Sequence, residues 1–271
     1  MITARIALAA AALLVSGAAS AQATWNFANS INTAPTPDQY TLCGATANLP
    51  TAAYGNTFGC TSGGITTTAS AWSTTRDTTT GATNVSGGAG FASAYLSLQG
   101  GSGFGVANRV EGLSVTAPDH SMDSVTNTTD AILLGFSSAV TLNQLTLGWY
   151  STDSDVTIMR WTGGAGGPTM GSTNVSSMTG WTLVTSADVD AADPTSPYTL
   201  NFNGGGASSW WLISAYNSTY GGTGGGLDTN NDYVKLLSVR SAGPSVAEPG
   251  SLALAVLALG GFLIGRRRRA R

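Results

Sequence analysis

The 271-residue chain carries eleven basic and fourteen acidic residues, so only 9% of it is charged, and its formal net charge is −3. Five of the basic residues fall in the last six positions, which leaves the body from residue 22 to Glu248 with five basic against fourteen acidic residues, a balance of −9. That excludes a basic nucleic-acid footprint, and seven Trp with eight Tyr exclude the aromatic-poor composition of a disordered chain.

From the N-terminus, Arg5 precedes an apolar run from Ile6 to Val15, and small residues follow at Ala19-Ser20-Ala21. This pattern predicts a signal helix over 1–21, removed by signal peptidase, whose pocket accepts only small side chains. The run is too short to span a bilayer as a mature helix. The chain is therefore expected to be exported.

Residues 22–240 read as one β-sandwich domain. The 36 glycines and abundant Thr, Ser and Asn suit turn-rich all-β structure, and no long stretch has helical periodicity. Cys43 and Cys60 are the only cysteines, and an even pair in an exported chain predicts a disulfide. Closing that loop stabilises the fold by roughly 3 kcal/mol in the chain-entropy model. Strands are predicted at 69–76 and 91–98, then at 131–137, 142–150, 156–161, 182–184, 198–202, 210–216 and 233–241, separated by Gly, Asn, Asp and Pro. In Leu142–Tyr150, Leu145, Leu147 and Trp149 alternate with Gln144, Thr146 and Gly148, the pattern of a sheet packed on one face. Seven or more short strands with regular turn signals predict a sandwich of jelly-roll type. Gly163–Gly171 and Gly221–Gly226 read as flexible surface loops, and 241–248 as a linker.

Catalytic signatures are sparse. His120, the sole histidine, lies in Pro118-Asp-His-Ser-Met-Asp123 without a nucleophile elbow, and it reads as an ordinary loop residue. No catalytic residues and no cofactor are assigned. Oxygen-bearing side chains alternate in Asp228-Thr-Asn230-Asn-Asp232, and further acidic clusters occur at Asp153 with Asp155 and at Asp119 with Asp123 and Asp130. Such residues either bond local backbone as Asx turns or ligate a structural calcium ion, a hard cation that takes several oxygens. Adjacent Trp210 and Trp211 must point to opposite faces of a strand. One is expected in the core, and the other is a candidate platform for a sugar.

The C-terminus combines Glu248-Pro249, an apolar run from Leu252 to Ile264, and Arg266-Arg267-Arg268-Arg269. With its flanks the run is about fifteen residues, a short transmembrane helix, and the arginines orient it with the tail in the cytoplasm. In this order, behind a signal peptide, residues 246–271 resemble the PEP-CTERM sorting signal of Gram-negative bacteria. Glu248 and Pro249 match its motif, whereas Ala247 stands where the first proline is usual. The resemblance implies processing by an exosortase after a transient stay in the inner membrane. The body is also similar to the exosortase-dependent surface protein family at Gly105-Val106, Glu111, Pro118–Asp123, Asp130–Leu134, Leu147–Trp149, Asp153–Val156 and Asp232–Leu236. That family implies display on the cell surface or in an extracellular matrix and no enzymatic activity. The expectation is a structural or adhesive protein of an envelope or exopolysaccharide biofilm. The alternative is a carbohydrate-binding module, stabilised by calcium, whose partner is extracellular polysaccharide.

Overall fold

The computed structural model describes residues 22–28, 39–43, 45–48, 52–113, 118–151, 153–190 and 197–243, with backbone alone at 39–42, 45–48, 153 and 190. Residues Gln22–Gly243 form one compact unit. The predicted signal helix at 1–21 and the sorting signal at 246–271 lie outside the described residues. Among those described, no helix is long and apolar enough to cross a membrane.

The described residues are all-β, with two seven-stranded antiparallel sheets and two short 3-10 turns. The first sheet contains β1 (Thr24–Asn26), β7 (Tyr95–Leu98), β8 (Phe104–Ala107), β9 (Met122–Asp123), β11 (Leu142–Tyr150), β14 (Tyr198–Asn201) and β16 (Tyr233–Ser241). The second contains β4 (Thr57–Ser62), β5 (Ile65–Arg76), β6 (Gly90–Ser93), β10 (Asp130–Val140), β12 (Asp153–Trp161), β13 (Trp181–Asp190) and β15 (Ser208–Ala215). A separate two-stranded ladder joins β2 (Gln39–Leu42) to β3 (Ala45–Asn48).

The two sheets share a core, consistent with a sandwich. Leu145, Leu147, Leu236 and Val239 from the first face Ile132, Leu134, Ile158 and Ile213 from the second. Aromatic side chains bridge the layers: Phe104 of β8 lies 4.7 Å from Phe27 and 5.2 Å from Phe58 of β4. Trp25 of β1 packs edge-on against Phe136 of β10 and donates its indole N–H to the Ile65 carbonyl. Each fully buried large apolar side chain contributes roughly 1.5–3 kcal/mol.

β16 organises the first sheet. One edge pairs with β11, and three short strands divide the other edge between them. β9 takes Tyr233 and Val234, β8 takes Leu236, and β1 takes Ser238 to Arg240. β10 is central to the second sheet, between β5 and β15. Its residues from Asp130 to Phe136 are buried on both faces. Away from the shared core, Ala131 and Leu133 pack with Met159, Leu212, Met170, Val175 and Met178. The glycine-rich stretch 163–171 therefore does not lie wholly at the surface: it ends in buried Met170, which covers the outside of this sheet.

Two expected boundaries also change. The single strand expected at 91–98 divides at Ala94. β6 pairs with β5 in the second sheet, whereas β7 pairs with β8 in the first. Alternation of side chains cannot register a change of sheet, because each half keeps the same period. The expected linker begins too early, since Ser241 ends β16, its amide donates to the Ala23 carbonyl, and Ala242 N–H donates to Thr141 O.

Candidate functional site

The acidic residues converge where the segment between β8 and β10 crosses from one sheet to the other. β8 ends at Ala107, and Asn108 begins a turn that returns Glu111 toward it. Asn108 is fully buried and accepts at Oδ1 from the amides of Val110 and Glu111. Glu111 Oε2 in turn accepts the Asn108 amide at 2.8 Å. Farther along, the turn at 118–121 lies close against β8. A Cβ at Gly105 would stand 1.8 Å from the His120 carbonyl oxygen, so glycine alone permits that approach. The turn delivers Met122 and Asp123 to the edge of β16, and Asp130 opens β10 in the opposite sheet.

One carboxylate oxygen from each of Glu111, Asp123 and Asp130 lies within 4.8 Å of the other two. Asp123 and Asp130 have no solvent exposure. Burial pushes the Glu111 carboxyl up to about 7, and the charge of exposed Asp119 adds to the effect. Burial also holds Asp123 and Asp130 well above the usual carboxylate range, with neighbouring acids next in importance. Like charges in a poorly hydrated site resist ionisation together.

The predicted calcium residues assemble differently. Asp232 Oδ1 accepts the Asp155 amide, and Asp155 Oδ2 accepts the Asp228 amide. Asp232 Oδ2 accepts the Ser124 hydroxyl, whose oxygen also accepts the Asn230 amide. Asp228, Asn230, Asp232 and Asp155 thus meet near Ser124, where side-chain oxygens of Asp155, Asp232 and Ser124 take the amides of Asp228, Asp155 and Asn230. This is the chemistry of Asx-type turns, with partners distant in sequence. Burial raises the Asp232 carboxyl to about 7. The side chain of Asp153 lies outside the described residues.

His120 is half-buried on its turn, and its Nε2 lies 3.1 Å from Lys235 Nζ. The ammonium also stands 4.4 Å from the centre of the Trp149 ring, a cation–π contact, and burial lowers the Lys235 pKa.

The adjacent tryptophans divide as strand geometry requires. Trp211 is fully buried between the sheets, while half-buried Trp210 faces outward. Trp210 and Trp161 line a shallow groove with Thr162, Gly164, Ala165, Ser208 and Ser209. Trp161 is held by an edge contact with Trp181 at 5.3 Å and by its indole bond to Gly164 O.

Cys43 and Cys60 form a disulfide. Glu248, Pro249 and Arg266–Arg269 lie outside the described residues. Compared with models of known families and with curated proteins, the chain matches none.

Proposed function

We propose that the chain is an exported, non-enzymatic protein of the cell surface or extracellular matrix, structural or adhesive in role and delivered by exosortase processing. The observation that carries this reading is the Cys43–Cys60 disulfide, a bond that persists in oxidising compartments outside the cytoplasm. The order of signal peptide, Glu248-Pro249, apolar run and arginine block supports the sorting route. In this reading the two sheets form a jelly-roll sandwich. A cleaved N-terminal helix starts export, and a short C-terminal membrane helix holds the precursor in the inner membrane until the tail is removed. Replacing Glu248 and Pro249 together should leave an uncut precursor in the membrane fraction. Release of the double variant at the normal rate would overturn the sorting assignment.

One observation favours a second reading, a carbohydrate-binding module. Trp161 and Trp210 wall an outward groove that Thr162, Ser208 and Ser209 also line, the Ser208 hydroxyl being bonded to the backbone of both tryptophans. Indole faces suit the apolar faces of sugars, and neighbouring hydroxyls suit their polar edges. Affinity electrophoresis through gels containing alginate, dextran or xylan tests it. Trp161→Ala should abolish any retardation, and free migration of the native protein through all three would remove this reading.

A further inference from the structure

We propose that Glu111, Asp123 and Asp130 bind one hard divalent cation, calcium, which ties the two sheets together at this end of the sandwich.

The argument begins with how each carboxylate is held. Glu111 Oε2 accepts the Asn108 amide, Asp123 Oδ1 accepts the Val125 amide, and Asp130 Oδ1 accepts from Asn108 Nδ2. Each acid therefore has one oxygen anchored to the fold. The other oxygen of each, Glu111 Oε1, Asp123 Oδ2 and Asp130 Oδ2, is buried with no hydrogen bond to any group outside the cluster, Glu111 interacting there with Asp123 and Asp130 with the Ser73 hydroxyl. Outer partners that fix a carboxylate while leaving its second oxygen unoccupied are the usual support of a metal ligand. Ser73 lies directly across from Asp130 in the β5–β10 ladder, is fully buried, and sets its hydroxyl beside the Asp130 carboxyl. It offers a fourth oxygen on the same face.

Charge supplies the second line of argument. The nearby cationic side chains are engaged elsewhere. Arg109 donates to the Ser93 carbonyl and hydroxyl and lies over the Tyr54 ring. Lys235 is held between His120 and Trp149. Without metal, protons held by the raised carboxyls offset the charge but leave the oxygens without ligands outside the cluster. A cation offsets the charge and binds the oxygens as well. An all-oxygen donor set selects calcium or magnesium over zinc or copper, which prefer nitrogen and sulfur. Magnesium requires strict octahedral geometry and keeps much of its water, whereas calcium accepts an irregular set of carboxylates and completes its shell with water.

The ligands also explain what such an ion does. Glu111 belongs to the turn after β8, and Asp123 to β9, which holds β16 by two residues. Asp130 opens the central strand of the other sheet. One ion therefore joins a weakly paired edge of the first sheet to the centre of the second.

The test uses the full-length chain in detergent, stripped with EDTA, dialysed and titrated with calcium chloride or magnesium chloride at neutral pH. Calorimetry should show one calcium per chain, with a dissociation constant of about 10⁻⁴–10⁻³ M, as in extracellular calcium modules. At roughly tenfold excess over that constant, calcium should raise the melting temperature by about 3–6 °C. Magnesium should give a smaller rise. Glu111→Gln and Asp130→Asn should each abolish the calcium response. Without calcium they should melt at or above the temperature of the native sequence, because an amide removes like-charge repulsion. Loss of packing alone would lower that melting temperature instead. If Asp130→Asn fails to fold, Glu111→Gln at the half-buried rim decides the matter. An unchanged melt in millimolar calcium, or an undiminished rise in Glu111→Gln, overturns the site. An equal response to magnesium overturns the choice of ion.

Discussion

Asp232→Asn should make the metal-free protein more stable above neutral pH and leave it nearly unchanged in acid. In the folded chain, burial lifts the Asp232 carboxyl from an ordinary 3.8 to about 7. The charges of Asp155 and Asp228 push the same way, while the Ser124 hydroxyl and Asp155 amide oppose them. Between these two values the folded protein holds a proton that the unfolded chain has released. Stability from this group is therefore greatest in acid, falls as pH rises through that window, and levels off above about 7. At about 1.4 kcal/mol per unit, the full shift corresponds to about 4 kcal/mol, and relaxation of the loop reduces this to roughly 2–4 kcal/mol. The amide variant removes this group's share of the decline. For a body of this size, the gain at alkaline pH amounts to about 4–16 °C in melting temperature. The assay is urea or thermal unfolding in EDTA across the acid-to-alkaline range, with native and variant chains compared at each pH. Parallel profiles, or a variant less stable in alkali, would refute the reasoning: the first means that Asp232 is not protonated in the fold, and the second that its hydrogen bonds outweigh its buried charge.

Opening the disulfide by Cys43→Ser should cost roughly 3 kcal/mol, read as a lower urea midpoint with unchanged secondary structure by circular dichroism. Gly105→Ala would place a methyl group 1.8 Å from the His120 carbonyl oxygen, so the 118–121 turn must move. Both the melting temperature and calcium binding should fall, by titration calorimetry, and retention of both would show that the close approach is dispensable. Leu134→Ala, in the buried centre of β10, should cost about 2–5 kcal/mol, whereas Leu183→Ala, at a position 37% exposed, should stay within about 1 kcal/mol by the same unfolding assay.

Strands with strong alternation were the most legible from sequence. Leu142–Tyr150 has the expected limits because Leu145, Leu147 and Trp149 repeat every second position, and Tyr233–Ser241 because its apolar, β-branched run stands between clear turn residues. Thr57–Ser62 escaped because Phe58-Gly-Cys60 offers little β-branched patterning, and because its stability comes from pairing with β5. β9, with two residues, has no period to detect; its neighbours and the close turn at Gly105 define it. The acidic site was partly legible, since Asp123 and Asp130 stood out with Asp119 as an oxygen-rich cluster. Glu111 was not tied to them in sequence. Its place depends on the reversal at buried Asn108, whose amide and side chain form bonds that spacing along the chain does not encode. Local chemistry was visible, and the crossing between sheets was not.

β16 also sets the order of assembly. Its pairing with β1 matches Trp25 to Val239, near opposite ends of the folded unit, and its pairing with β9 anchors Asp123. The first sheet therefore lacks its middle until the last strand has arrived. A chain synthesised from its N-terminus has β1, β8 and β9 present before their shared partner, which favours a loose state over premature closure. When Tyr233–Ser241 emerges, it completes three pairings on one edge and the β11 pairing on the other. The last of the described strands to be made is thus the one that fastens the fold.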